Sequence, residues 1–96
     1  MKVSIGCDPE FFLWNTETKR YESAHDAQVP GTKYKPYKLE VGSVQIDGTA
    51  VEFGIDPADS AYEFSYNITR TLEEIRKIID GKYEFHFNPV VKYNKD

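Results

Sequence analysis

The sequence predicts an α+β protein, a mainly antiparallel sheet with one helix packed on one face. Three observations carry this. Residues 44–57, VQIDGTAVEFGIDP, read as two alternating strands about an Asp47-Gly48 turn, a strong short-range hairpin signal. Phe64, Ile68, Leu72, Ile75 and Ile79 then recur at helical spacing along one stripe. After Gly81, residues 83–87 (YEFHF) alternate again as a strand. Strands, one helix and a further strand make an α+β layer rather than a βαβ repeat.

Taken in order, Val3 and Ile5 alternate with Lys2 and Ser4 as a short strand running into Gly6-Cys7-Asp8-Pro9. Residues 10–14 (EFFLW) have the β-rich composition of a second strand. Asn15 to Thr18 is a polar turn, and Arg20-Tyr21-Glu22 a short return strand. Residues 23–36 hold Pro30, Gly31 and Pro36 without periodicity and read as a long loop. Tyr37 to Val41 is expected to lead as a strand into the central hairpin. The helix, about residues 60–80, opens on a capping box of Ser60 and Glu63. Arg70 with Glu74 and Glu73 with Lys77 form i,i+4 pairs on its wet side, and Gly81 serves as the C′ stop. The expected core is Phe53, Phe64, Ile68, Leu72 and Phe85.

Ninety-six residues make a single domain, 1–96, with a modest core. The 40% hydrophobic and 15% aromatic content belongs to a folded chain. A formal net charge of −4 gives no electrostatic footprint for direct nucleic-acid binding. No apolar run reaches membrane-spanning length and no signal peptide is evident, so the expected location is cytoplasmic. The single Cys7 suits a reducing compartment and reads as a small buried side chain. Asn67-Ile68-Thr69 matches a glycosylation sequon by chance.

Strand alternation gathers the residues that can carry chemistry. With Val51, Phe53 and Ile55 turned to the helix, Ala50, Glu52 and Gly54 share the opposite face, a carboxylate between two small residues. Glu10, Gln45, Asp47, Glu52 and His86 can meet on that face, with Asp8 joining Glu10 at an i,i+2 spacing. No Lys or Arg is expected there. Converging carboxylates suit a hard divalent ion such as Mg²⁺, and a nearby His tilts the choice toward Mn²⁺ or Zn²⁺. The blander alternative is a polar face of a half-wet antiparallel sheet. Lys33, in Pro30-Gly31-Thr32-Lys33, and His86 are candidate phosphate or partner contacts, although one Gly and one Lys do not make a phosphate-binding loop. Trp14, Tyr21, Tyr34 and Tyr37 form either a partner patch or a core edge.

These residues also carry a resemblance. Residues 6–13 (GCDPEFFL), 30–33 (PGTK) and 45–53 (QIDGTAVEF) resemble the phage carboxylate–amine ligases of the second type, in the glutamine synthetase and glutamate–cysteine ligase superfamily. The resemblance implies the amino-terminal part of a glutamine synthetase-like domain. It makes Glu10 and Glu52, with Asp8 and Asp47 as weaker matches, the acids that hold Mg²⁺ or Mn²⁺ bridging to ATP. Asp8 stands where relatives often place a glutamate. The resemblance covers nearly all of this chain but only the amino-terminal part of such a ligase, without the segments that supply further metal ligands and basic phosphate contacts. The first expectation is therefore a ligase-derived module with no catalytic residue of its own and no required cofactor, an inhibitor that binds a host or defence-system protein in the host cytosol. The alternative is the amino-terminal half of an ATP- and Mg²⁺-dependent carboxylate–amine ligase, completed by homo-oligomerisation or a second chain.

Overall fold

A computed structural model describes residues 9–79 and 81–87. The expected Val3–Ile5 strand, Cys7 and Asp8 lie outside the described residues. The fold is α+β, a six-stranded antiparallel sheet carrying a single helix. Its strands are β1 (Glu10–Asn15), β2 (Arg20–Glu22), β3 (Tyr37–Lys38), β4 (Gly42–Asp47), β5 (Ala50–Ile55) and β6 (Tyr83–Phe87), with α1 at Ala61–Ile78. β1 is the hinge of the topology. One of its edges pairs with β6, while the other meets β5 at Glu10–Phe11 and β2 at Leu13–Asn15. β4 and β3 continue outward from β5.

The central hairpin forms with its turn one residue later than the Asp-Gly signal suggests. Asp47 pairs with Ala50, so Gly48 and Thr49 are the turn residues, and Gly48 adopts φ +63°. A left-handed first turn position matches the twist of a two-residue hairpin and is cheapest for glycine. As a result Asp47 remains in the ladder on the face of Glu52. The strand expected over Tyr37 to Val41 is shorter than read. Leu39 N donates to Gly42 O at 2.8 Å, turning the chain at Glu40-Val41 straight into β4.

The core lies between the sheet and α1, with Phe11, Leu13, Val44, Val51 and Phe53 buried beneath Ile75 and Ile79. The long loop adds to it. Ala24 and Val29 are buried, Ala24 N donates to Thr49 O, and Gly31 O accepts from Ile46 N at 3.1 Å on the β4 edge. Gly31 has φ +92° there, and a Cβ would fall 2.2 Å from Val44 O, which restricts the position to glycine.

The helix begins as its sequence dictates. Ser60 Oγ accepts from Glu63 N at 3.1 Å, and Glu63 Oε1 accepts from Asp59 N at 2.7 Å. Its C-cap is Ile79, so Gly81 sits two positions past the cap rather than one. Its inward line also differs from the apolar stripe, running through Asn67, Thr71, Ile75 and Ile79. Phe64 and Ile68, expected in the core, are half-buried on its flank, while Leu72 and, on β6, Phe85 are also half-buried but pack against the core. The reason is close approach. A Cβ at Gly42 would lie 2.5 Å from both Gly54 O and Thr71 Oγ1, so the helix sits down on a notch in β4 that admits only small side chains. Asn67 is buried and donates to Asp56 O at 3.1 Å, which turns the sequon asparagine into a structural tie. Two polar links hold the helix to the β3–β4 turn: Glu74 Oε1 accepts from Glu40 N, and Arg70 Nε pairs with Glu40 at 3.0 Å.

At the far end of β1, Asn15 is buried and organises a polar network. Its Oδ1 accepts from Glu17 N and Thr18 N, and its Nδ2 donates to Glu22 Oε1 at 3.0 Å. Tyr83 OH donates to the second Glu22 oxygen at 2.8 Å. The Asn15 and Tyr83 hydrogen bonds hold the Glu22 carboxyl below its ordinary range. A depressed folded-state value stabilises the protein above the ordinary glutamate pKa of about 4.3, and that stability is lost as pH falls through the folded-state value. Glu22→Gln should therefore be less stable than wild type at pH 7, with the two urea midpoints converging in acid. A difference constant from pH 7 to pH 3 would contradict this assignment.

Candidate functional site

The open face of the sheet, opposite α1, collects the alternate residues of every long strand. Glu10, Phe12 and Trp14 come from β1, Glu84 and His86 from β6, Ala50, Glu52 and Gly54 from β5, and Ser43, Gln45 and Asp47 from β4. This is the face assigned by alternation. It divides into an acidic end and an aromatic end.

The acidic end is built by register. Glu10 and Glu52 are direct cross-strand partners, Gln45 opposes Glu52 from the other side, and Asp47 lies diagonally two residues further along β4. One carboxylate oxygen from each of Glu10, Asp47 and Glu52 lies within 4.8 Å of the other two. Glu10 and Glu52 are half-buried and Asp47 is exposed. Like charges placed directly opposite one another on a sheet are destabilising. Oxygens on opposite sides of one Mg²⁺ stand about 4.2 Å apart, and around Ca²⁺ up to about 5.2 Å. The group offers hard oxygen ligands of one sign, suited to a divalent cation or to a phosphate bridged by one.

Two expectations about this end change. Ala50 is buried rather than leaving open space beside Glu52. Lys38 belongs to the margin of this face, pairing with Ser43 in the ladder, and its Nζ is bound to Asp56 at 2.9 Å. A face free of Lys and Arg is therefore not what the fold makes. Asp8 lies outside the described residues.

His86 does not join the acids. It belongs to the aromatic end, where its ring stacks on Trp14 at 5.8 Å and 10°, its Nδ1 bonds Tyr21 OH at 2.9 Å, and its Nε2 bonds Glu84 at 3.1 Å. Tyr21 packs edge-on against Trp14 at 4.9 Å. The four aromatics read as one patch are thereby separated. Trp14 and Tyr21 are together, Tyr37 is across the sheet on β3, and Tyr34 and Lys33 occupy the exposed turn closed by reciprocal Thr32–Lys35 backbone bonds. The pairing of Tyr21 with His86, 65 residues apart, has no signature in the sequence.

On the helix side, a groove of about 440 Å³ runs between β3 and α1, lined by residues including Tyr37, Leu39, Arg70 and Glu74. It lies on the opposite side of the sheet from the acids. Among the described residues no helix is long and apolar enough to cross a membrane. Comparison with known proteins gives no match to a protein-family model, a curated protein or a solved structure.

Proposed function

We propose that this chain is the amino-terminal, metal-holding part of an ATP-dependent carboxylate–amine ligase of the glutamine synthetase and glutamate–cysteine ligase type. The observation that carries the reading is the convergence of Glu10, Asp47 and Glu52 within 4.8 Å on the open sheet face. Two of these are the acids that the motif resemblance singles out for metal, and the third, Asp47, is one of its two weaker matches. Their oxygens fit Mg²⁺ or Mn²⁺, and Gln45 beside Glu52 adds an amide of the same hard-oxygen type. When bound, such an ion bridges and neutralises nucleotide phosphates. The chain's own part is to hold the three acids in register on strands rather than loops.

Three carboxylates without a closed cage bind Mg²⁺ weakly, because the ion sheds its waters reluctantly. At ten times the dissociation constant, the ion should stabilise the fold by about 1.4 kcal/mol. The test is Mn²⁺ added to isotope-labelled protein. Amide signals around Glu10, Asp47 and Glu52 should broaden first, Mg²⁺ should compete, and Glu10→Gln or Glu52→Gln should abolish the effect. Broadening elsewhere, or broadening indifferent to both substitutions, would sink the reading.

A second reading, a non-catalytic module that binds and inhibits a host or defence protein, is favoured by Tyr34 and Tyr62, both almost fully exposed. It predicts a stoichiometric complex that Tyr34→Ala with Tyr62→Ala disrupts and Glu52→Gln does not.

A further inference from the structure

Tyr21 and His86 stand on strands that flank β1 on its two sides, roughly 10 Å apart at the ordinary strand spacing. Their hydrogen bond therefore passes over β1, with Tyr21 edge-on to Trp14 and to Phe12 beneath it. The proton positions follow from simple chemistry. A Glu84 carboxylate only accepts, so the 3.1 Å contact places a proton on His86 Nε2. A neutral imidazole carrying that proton presents a bare Nδ1, and Nδ1 must then accept from Tyr21 OH. The order is hydroxyl, imidazole, carboxylate, in which a base within hydrogen-bond reach of a hydroxyl is oriented by a third group. If the proton moves to Nδ1, the ring that results keeps its Nε2 contact with Glu84 and its stack on Trp14.

We propose that Tyr21, His86 and Glu84 form a proton relay whose reactive end is the Tyr21 hydroxyl, serving the amine half-reaction on the open face. This assignment rests on the ligase reading for its substrate. Phe12, opposite His86, is two residues from Glu10 on the same face, roughly 7 Å along the strand. The relay and the acids thus border one working surface. In the step assigned to it, the amine nitrogen bonds to the carbonyl carbon of an acyl phosphate and the carbon–oxygen bond to phosphate breaks. A proton from the amine passes to Tyr21 Oη as the tyrosine's own proton passes to His86 Nδ1. The products are amide, inorganic phosphate and an imidazolium held by Glu84. Tyr21 is the group that touches substrate, and Glu84 is a positioning residue.

The hydroxyl can be tested without ATP, metal or amine. An aryl sulfonyl fluoride forms an oxygen–sulfur bond with a tyrosine as fluoride leaves, and a neighbouring base takes the proton. Tyr21 is 60% exposed, Tyr62 84% and Tyr34 93%, so access alone ranks Tyr21 last of the three. General-base assistance is worth about 10²- to 10⁴-fold, so site-resolved mass spectrometry should find Tyr21 labelled at least about tenfold faster than Tyr62 and Tyr34. His86→Phe, which keeps an aromatic ring against Trp14 and removes the acceptor, should drop Tyr21 below both while leaving the melting temperature unchanged. Glu84→Gln should slow Tyr21 alone. Labelling of Tyr21 no faster than Tyr62, or a rate indifferent to His86→Phe, would overturn the relay. Failure of the Mn²⁺ experiment bears on the ligase reading and leaves the hydroxyl's reactivity standing. Failure of the labelling removes the relay and leaves the metal reading in place.

Discussion

Phe11→Ala should cost about 3–5 kcal/mol, a large share of the roughly 5–15 kcal/mol that holds a small domain folded. Phe11 is fully buried at the point where β1 meets both β5 and β6, opposite Val51 on one side and Phe87 on the other. Its ring stacks on Phe85 at 4.3 Å and 20°, and tilts against Phe53 at 5.9 Å and Phe87 at 5.2 Å. Truncation removes the transfer energy of the ring and leaves a cavity whose walls are strands that cannot collapse without losing the ladder. Urea unfolding should show a midpoint displaced by most of the transition, with the slope preserved if folding stays two-state. Phe11→Leu, which refills part of the volume, should recover more than half of the loss. A Phe11→Ala protein within about 1 kcal/mol of wild type would mean that this aromatic cluster is not the core's centre.

Gly42→Ala should have the second largest effect, about 2–4 kcal/mol, although it adds one methyl group. That methyl would meet Gly54 O and Thr71 Oγ1, each at 2.5 Å, so either β4 and β5 separate or α1 lifts off the sheet. Thr71 offers an internal control. It is fully buried and its Oγ1 has no hydrogen-bond partner among the described residues. An unsatisfied buried hydroxyl costs about 1–3 kcal/mol, so Thr71→Ala alone should cost less than the loss of a packed methyl implies. Combined with Gly42→Ala it should recover part of the loss, because it removes one of the two collisions and leaves the Gly54 carbonyl. Strict additivity of the two substitutions in a double-mutant cycle would show that helix and sheet do not meet at this notch.

The sequence by itself determined the kind of each element from Glu10 onward, because those signals are local. Alternation over residues 50–55, the Ser60–Glu63 cap and the YEFHF run act within a few residues and decide strand, helix and strand. Alternation also fixed which side chains share a face, and so put Glu10, Asp47 and Glu52 on one side of the sheet before any pairing was known. Register was not local. Whether Glu52 opposes Gln45, and whether Asp47 stays in the ladder, depended on a turn that settled on Gly48-Thr49, where a positive φ falls on glycine. The helix face was decided by shape rather than hydropathy. Gly42 lets the backbones approach, so Asn67 and Thr71 take the inner line and larger Phe64 and Ile68 move to the flank. Tertiary pairing alone made the aromatic end, since β6 returns to β1 after the whole helix and delivers His86 to Tyr21. Side-chain type and period are properties of a few consecutive residues, whereas registry, close approach and contacts between distant strands are properties of the packed sheet.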